Sequence, residues 1–289
     1  MLFSGVVFVW LNDQFLNQGY SSNFHISRKH MIKEVDVATH HYNAWRGGCL
    51  VKGVVLAGGT GSRLRPLTNI INKHLLPVGD LPMIQYAIEK LRKAGVQDIL
   101  LITGKQSAGL YLEYLGSGET FGVRLTYKLQ EKAGGIAQAL ALAKEFVLTG
   151  EKFVVLLGDN LFEDSLIPMI DTFEKQEEGA MVILKKVADP RRYGVAKMKG
   201  DIIERIEEKP EHPSSSYAVT GIYLFDSTVF DIIKNQRPSK RGELEITDVN
   251  NVYAAAGTLT HGYFTGWWID AGTHESLFQA TLFVRKEDR

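Results

Sequence analysis

Short apolar runs alternate with amphipathic stretches from residue 51 onwards. The run from Val51 to Ala57 is almost continuously apolar, which is typical of a strand covered on both faces. Similar runs at 98–103 and 152–157 predict two more buried strands, and VRLTYKL predicts another that begins near residue 123. Because strands and helices alternate with short connections, we predict an α/β fold with a Rossmann-like, mostly parallel or mixed sheet flanked by helices.

Between these strands the apolar positions recur at helical spacing. In LPMIQYAIEKLRKAG they fall on one face, with Pro82 suited to the first turn and Gly95 to the end. A short helix is predicted around Leu110 to Leu115, a longer one in GIAQALALAKEFV, and another over Leu166 to Glu177. These helices would cover the faces of the sheet.

The pattern changes after about residue 179. The strand-like segments AMVILKKV, GVAKMK, IIERIEE and YAVTGIYLFD follow in succession, and the turn-rich KPEHPSSS separates the last two. Two helices are predicted to close the chain, near 247–256 and 273–286. We therefore expect one domain over residues 51–289, built from a first half at about 51–178 and a strand-rich second half at about 179–289.

Residues 1–50 show neither the helical nor the strand periodicity of apolar positions. The opening MLFSGVVFVWLNDQF has no basic residue before its apolar run, and no small-residue cleavage site follows, so a secretory signal is not predicted. Four histidines lie in this segment, but their spacing fits no zinc pattern. We predict a poorly ordered extension that belongs to no core. A more specific hypothesis is that residues 1–50 are translated upstream sequence, because a valine codon such as GTG at Val51 can serve as a start.

The composition narrows the choice of partners. Lys plus Arg and Asp plus Glu both total 33, so the formal net charge is zero and no basic field favours nucleic acid. Cys49 is the only cysteine, which rules out an internal disulfide and indicates a cytoplasmic protein. No apolar stretch reaches the ~18 residues of a transmembrane helix, so no membrane partner is predicted.

The first strand ends in GGTGSRLRP, a glycine-rich turn that carries two arginines. Glycines allow successive N–H groups to face an anion, and ligands of open α/β sheets bind at the carboxyl ends of strands. Arg63 and Arg65 add fork-shaped donors that suit phosphate oxygens. A Walker motif is excluded because Ser62-Arg63 follows Gly61, and a dinucleotide fingerprint because Leu64 replaces its third glycine. We predict a phosphate-rich ligand; a tight turn with solvated arginines is the plainer alternative.

Six motifs in order resemble the sugar-1-phosphate nucleotidylyltransferases. The likeness runs from Val51 to about Ala280 and comprises GGTGSRLRPLT joined to NKHLLPVGDLPMIQYAIEKL, then LQEKAGGIAQAL, LLGDNLF, IEEKP, YAVTGIYLFD and WWIDAGTHESL. The resemblance implies a nucleotide-diphospho-sugar transferase-like fold, with a nucleotide-binding first half and a sugar-binding second half.

The resemblance also implies a reaction. Members of this family move a nucleotidyl group from a nucleoside triphosphate to a sugar 1-phosphate and release pyrophosphate, with Mg²⁺ as cofactor. For this chain it favours dTTP and glucose 1-phosphate, giving dTDP-glucose for dTDP-sugar and polysaccharide biosynthesis by in-line displacement. UTP dependence or broad specificity remains an alternative, and a non-catalytic sugar-nucleotide sensor is a remote one. Whether the protein is a homo-oligomer is left open.

Each motif assigns expected roles to residues of this chain. Three residues would neutralise phosphate charge during catalysis: Arg63, Lys73 and Lys209. Seven residues would contact the nucleotide: Leu56, Gly58, Gly59, Gly61, Gln130, Gly135 and Asp159. Of these, Gln130 and Gly135 would read the pyrimidine base. The sugar phosphate would contact Gly194, Glu208, Lys209 and Val219. The two carboxylates expected to hold magnesium are those of Asp159 and Asp270.

Plainer alternatives exist for several of these residues. Asp159 and Asp270 could each cap a helix, and Lys73 and Lys209 could be ordinary surface lysines. A carboxylate at the carboxyl end of a buried strand is nevertheless well placed for magnesium. The chain also departs from the family at His74, where glutamine is frequent, which affects the expected triphosphate contacts.

Overall fold

The computed structural model describes residues 51–287 of the chain. The interpretation of residues 1–50 as an extension or as upstream sequence lies outside these residues. Thirteen strands are present within the described part: β1 Lys52–Ala57, β2 Pro77–Val78, β3 Leu81–Pro82, β4 Asp98–Gly104, β5 Arg124–Gln130, β6 Lys152–Leu157, β7 Asn160–Phe162, β8 Ala180–Lys186, β9 Gly194–Lys199, β10 Ile202–Glu208, β11 Tyr217–Asp226, β12 Leu259–Tyr263 and β13 Trp268–Asp270.

Seven α-helices connect these strands in the same part of the chain: α1 Met83–Lys93, α2 Ala108–Leu115, α3 Ile136–Ala141, α4 Ile167–Lys175, α5 Val229–Lys234, α6 Ile246–Ala256 and α7 His274–Glu287. Over residues 51–287, none of the helices is both long enough and apolar enough to cross a membrane.

Nine of the strands form one mixed sheet. Its main path runs β10-β9-β11-β6-β1-β4-β5, and β8 pairs with both β11 and β12. The pairs β6–β1, β1–β4 and β4–β5 are parallel, whereas β11 is antiparallel to β6. The two predicted halves therefore share a single sheet, joined where β11 pairs with β6. The predicted α/β fold with a mixed sheet is confirmed.

The continuous apolar runs reflect burial on both faces of this sheet. Along β1, Val54 and Leu56 belong to a core cluster that includes side chains of α3, α5 and α6. Val55 and Ala57 belong to a second cluster that includes side chains of α1, α2 and α4. Because successive side chains of a strand point to opposite faces, every position of β1 from 53 to 57 is buried.

Several elements differ from the sequence prediction. Helix α3 ends at Ala141, earlier than the GIAQALALAKEFV pattern predicts, and the chain continues in turns. Leu140, Ala143 and Val147 are nevertheless buried, so the apolar stripe reports burial correctly and helix length wrongly. Helix α5 and the short strands β7, β12 and β13 were not predicted, because each is too short for a persistent period.

Candidate active site

The carboxyl ends of four parallel strands meet at one edge of the sheet. Gly58 follows β1, Gly104 ends β4, Gln130 ends β5, and Gly158-Asp159 follow β6. The Gly158 N–H donates to the Leu56 carbonyl across 3.0 Å, which holds the β1 and β6 ends together. The Leu56 side chain packs in the core, so only its backbone faces this edge. The edge is where α/β proteins bind ligands.

The glycine-rich loop wraps around the side chain of Lys73. A Cβ added to Gly59 would lie 3.3 Å from Lys73 Cε, and one added to Gly61 would lie 3.0 Å from Lys73 Cβ. Gly61 also has a φ of +64°, a region that favours glycine. Thr68 Oγ1 donates to the Gly61 carbonyl across 2.7 Å and so fixes the turn. Larger residues here would push the lysine away.

Lys73 forms an ion pair with Asp159, which lies 86 positions further along the chain. Both side chains are largely buried, with exposed fractions of 14% and 10%. Burial alone would raise the pKa of Asp159, but the Lys73 ammonium and the hydrogen bonds from Lys73 and Asn160 together outweigh it and hold that pKa well below its usual range. The alternative of Lys73 as an ordinary surface lysine is therefore wrong.

Strand pairing brings Asp270 beside Asp159. In the β7–β13 pair Asp270 lies opposite Asn160, and the Ala271 N–H donates to the Asp159 carbonyl across 2.9 Å. Asp270 Oδ1 is buried and has no hydrogen-bond partner among the described residues. Burial and the nearby Asp159 charge raise the pKa of Asp270 to about 6. Asp159 is thus paired with a lysine, whereas one oxygen of Asp270 has no partner in the part of the chain that the structure describes.

These two carboxylates fit a magnesium site. Mg²⁺ is usually bound by one or two protein carboxylates together with water and substrate phosphates. Across residues 51–287 no group of three or more His, Cys, Asp or Glu side chains could hold a metal alone. A buried carboxylate oxygen without a partner, next to a second carboxylate, is the donor set that a metal completed by substrate oxygens requires.

The helix-cap alternatives do not hold. Asp159 is followed by strand β7 and not by a helix. At the start of α7, the Ser276 N–H donates to Thr273 Oγ1 across 3.2 Å, so Thr273 supplies the cap in place of Asp270. Arg63 lies on the same side of the site, since a Cβ added to Gly272 would meet both its Nη2 and Asp270 Oδ1 at 2.8 Å.

His74, which departs from the family pattern, is buried behind this pair. Its Nδ1 lies 2.7 Å from Asn72 Oδ1, and Tyr111 Oη donates to the same oxygen across 3.0 Å. Burial and the adjacent Lys73 lower the pKa of His74 to about 3, so the ring is neutral at neutral pH. His74 is therefore an uncharged, buried side chain next to Lys73. The contact with Tyr111 could not be predicted from the sequence, because Tyr111 lies 37 positions away along the chain.

A second group of predicted residues lines one cavity of about 160 Å³. The cavity is lined by all four residues expected at the sugar phosphate, Gly194, Glu208, Lys209 and Val219. Asp270 of the carboxylate pair also lines it. Trp268 of the WWIDAGTHESL motif also lines the cavity. Sequence reasoning missed further lining residues, which come from segments without a recognised motif: Tyr193, Arg241, Thr247 and Asn250.

Glu208 is held by contacts from three side chains of this cavity. Thr247 Oγ1 donates to its Oε2 across 2.6 Å, and Lys209 Nζ lies 3.3 Å from its Oε1. Arg241 Nη2 donates to Oε1 across 3.4 Å. Lys209 has a φ of +45°, a conformation that non-glycine residues adopt rarely and mostly at functional sites.

Gly135, expected near the base, has a conformation that only glycine allows. Its φ is +101°, and a Cβ there would lie 2.8 Å from the backbone nitrogen of Leu244. We expect Gly135→Ala to lower the free energy of unfolding by about 2–3 kcal/mol, measured by urea denaturation. Gly109 is the matched control, because it lies inside α2 and, apart from its chain neighbours and its own helix backbone, no described residue has an atom within 4 Å of an added Cβ. Gly109→Ala should raise stability by about 0.5–1 kcal/mol; equal effects of the two substitutions would contradict this account.

The comparison with known proteins bears directly on this site. Residues 52–287 match the family model described as nucleotidyl transferase, which spans nearly all of the described chain. The chain belongs to the nucleotidyl transferase family. The family expected from the six motifs is therefore confirmed, and its members generally depend on Mg²⁺.

Individual nucleotidyl transferases are similar over most of the chain. The glucose-1-phosphate thymidylyltransferase of Xanthomonas campestris pv. campestris is 43% identical over 241 residues, covering 81% of this chain and 80% of the relative. A Bacillus anthracis crystal structure, provisionally named a glucose-1-phosphate thymidylyltransferase and containing sucrose, is 55% identical with a TM-score of 0.79; the match covers 81% of this chain and 95% of that one. A UDP-glucose pyrophosphorylase in complex with UDP-glucose is 26% identical with a TM-score of 0.72, covering 82% and 99%.

Proposed function

We propose that this protein transfers a thymidylyl group from dTTP to glucose 1-phosphate, giving dTDP-glucose and pyrophosphate. The observation that carries the proposal is the position of Asp159, Asp270 and Lys73 between the glycine-rich loop and the Glu208 cavity. A triphosphate on the loop and a sugar phosphate in the cavity would meet at these charges. The thymidylyltransferase relatives at 40–43% identity support dTTP.

The chemistry needs positioning and charge neutralisation more than a base. The phosphate oxygen of glucose 1-phosphate is already anionic, so it can attack the α-phosphorus directly while the bond to the β-phosphate oxygen breaks and pyrophosphate leaves. Lys73 and Arg63 would neutralise the triphosphate, and Lys209 would neutralise the sugar phosphate. Mg²⁺ held by Asp159 and Asp270 would further neutralise charge on the phosphate oxygens.

The roles on the sugar side follow from the hydrogen bonds of Glu208. Thr247 and Lys209 hold its carboxylate in place, so its remaining acceptor capacity can bind sugar hydroxyls. Arg241 lines the cavity and reaches the same carboxylate, but its guanidinium pairs mainly with Glu245, to which Nη2 donates across 2.9 Å and Nε across 3.2 Å. Arg241 would therefore help to hold Glu208 and Glu245 in place at the cavity.

Pyrophosphate release from the purified protein tests the proposal. The protein is incubated with Mg²⁺, glucose 1-phosphate and one nucleoside triphosphate at a time. We expect dTTP to give the highest kcat/KM. Preference for UTP would keep the reaction and replace the nucleotide, in line with the more distant UDP-glucose pyrophosphorylases. No release with any nucleotide would contradict the proposal and favour a non-catalytic sensor.

A further inference from the structure

Gln130 and Gln138 form a hydrogen-bonded pair beside the glycine-rich loop. Gln130 ends β5 and is buried, with an exposed fraction of 8%. Its Oε1 lies against Gly58, because a side chain on Gly58 would collide with that oxygen. Its Nε2 donates to Gln138 Oε1 across 2.7 Å. The Gln130 amide thus lies at the carboxyl ends of the strands, with its oxygen toward Gly58 and its NH₂ group toward Gln138.

The orientation of this amide decides which pyrimidine edge it can match. Thymine and uracil present an N3–H donor next to the O4 acceptor, whereas cytosine presents an N3 acceptor next to the N4 amino donor. A primary amide carries an acceptor at one end and donors at the other. If the pyrimidine ring keeps one position, a glutamine whose amide can rotate by 180° could pair with the thymine or uracil edge in one orientation and with the cytosine edge in the other. A glutamine with a fixed amide could pair with only one.

Gln138 is held in one orientation by the backbone. The Gly134 N–H donates to Gln138 Oε1 across 3.1 Å. A backbone N–H can only donate, so the oxygen of Gln138 must occupy this position and its NH₂ group cannot. The same oxygen then accepts from Gln130, which forces the NH₂ end of Gln130 toward Gln138. The direction of the Gly134 N–H therefore fixes both side-chain amides in turn.

Gly134 is itself immobilised by a distant loop. The Leu244 N–H donates to the Gly134 carbonyl across 2.8 Å, and the Ala137 N–H donates to the Leu244 carbonyl across 3.2 Å. Gly135 lies between Gly134 and Ala137, and its φ of +101° lets the backbone turn so that both residues can bond to Leu244. The backbone that orients Gln138 is therefore clamped on both sides of the glycine pair.

We propose that Gln138 determines pyrimidine selection by preventing rotation of the Gln130 amide. The inference rests on the proposed function, which places a pyrimidine nucleoside triphosphate against Gln130. Gln138 is a positioning residue: it acts through Gln130 and need not touch the base. With the Gln130 amide fixed, the site accepts thymine or uracil and rejects cytosine, although uracil and cytosine have nearly the same shape.

The test compares nucleotide selection in two substitutions of Gln138. Gln138→Met keeps the side-chain length but removes the acceptor, so the Gln130 amide can rotate. We expect the ratio of kcat/KM for dTTP to that for CTP to fall by about tenfold or more. Gln138→Glu keeps an acceptor for both the Gly134 N–H and Gln130 Nε2, so it should retain the wild-type ratio even if its absolute rates fall.

A binding measurement makes the test independent of turnover. Dissociation constants for UTP and CTP are measured by equilibrium dialysis without glucose 1-phosphate, and the same loss of selection is expected for Gln138→Met. If that variant does not fold, Gln138→Ala replaces it, since alanine suits a helix. An unchanged UTP-to-CTP ratio in the folded variant would overturn the inference, as would a wild-type protein that binds both nucleotides equally.

Failure of the proposed function gives a different result. If the wild-type protein selects CTP and Gln138→Met loses that selection, the role of Gln138 stands and the thymidylyl assignment falls. If the wild-type protein binds no pyrimidine nucleotide and releases no pyrophosphate, both the proposed function and this inference fail. Normal selection for dTTP and UTP in wild type and in Gln138→Met overturns only the inference.

Discussion

Replacing Asp159 with asparagine is expected to lower kcat by about 10³-fold while the protein stays folded. The substitution keeps the shape of the side chain but removes the negative charge that pairs with Lys73 and would bind Mg²⁺. Lys73 is left largely buried without an anionic partner, so the free energy of unfolding should fall by about 3 kcal/mol. Steady-state pyrophosphate release measures the first effect, and urea denaturation measures the second.

Asp98 provides the control for this substitution. It also forms an ion pair, with Arg124 at 2.6 Å, but it lies at the amino-terminal end of β4, away from the site. Asp98→Asn should leave kcat unchanged and lower stability by less than about 1 kcal/mol, because the Arg124 side chain is 60% exposed. If Asp159→Asn turned over at the wild-type rate, Asp159 would have no place in the reaction.

Replacing Asp270 with asparagine should separate activity from stability. Asp270 Oδ1 is buried without a hydrogen-bond partner among the described residues, and a second carboxylate lies nearby. Removing this charge should raise the free energy of unfolding by about 1 kcal/mol at pH 8 in the presence of EDTA. The same change removes a proposed magnesium ligand, so kcat should fall by about 10²–10³-fold.

The buried Asp226 provides a control for which we expect the opposite effects on stability and activity. Asp226 pairs with Lys152 at the amino-terminal end of β6, the end opposite the site, and accepts hydrogen bonds from the Gly179 N–H at 2.6 Å and the Thr228 N–H at 3.0 Å. Asp226→Asn should therefore destabilise the protein by about 2 kcal/mol and leave kcat close to the wild-type value. An Asp270→Asn protein that is both active and less stable than wild type would refute the argument that Asp270 is kept for function.

The sheet could be predicted closely because its signal is local and strong. Strands β1, β4 and β6 appear as continuous apolar runs, since each is buried on both faces, and α1 has a clear apolar stripe with Pro82 before it. The signal fails where burial depends on a distant partner. Strand β12 reads LTHGY, and only its parallel pairing with β8 makes it a strand. Helix α5 has six residues, too few to show a period.

The candidate site divides along the same line. By itself the sequence determined the residue types and their order in the glycine-rich loop, the two aspartates and the EEKP motif. It did not determine that Asp159 pairs with Lys73, that Asp270 Oδ1 has no hydrogen-bond partner within residues 51–287, or that Gly134 orients Gln138. Those facts depend on the register of β7 against β13 and on the contact with Leu244. Only the tertiary structure decided them, because a side chain's partner, charge and orientation are set by atoms close in space and distant along the chain.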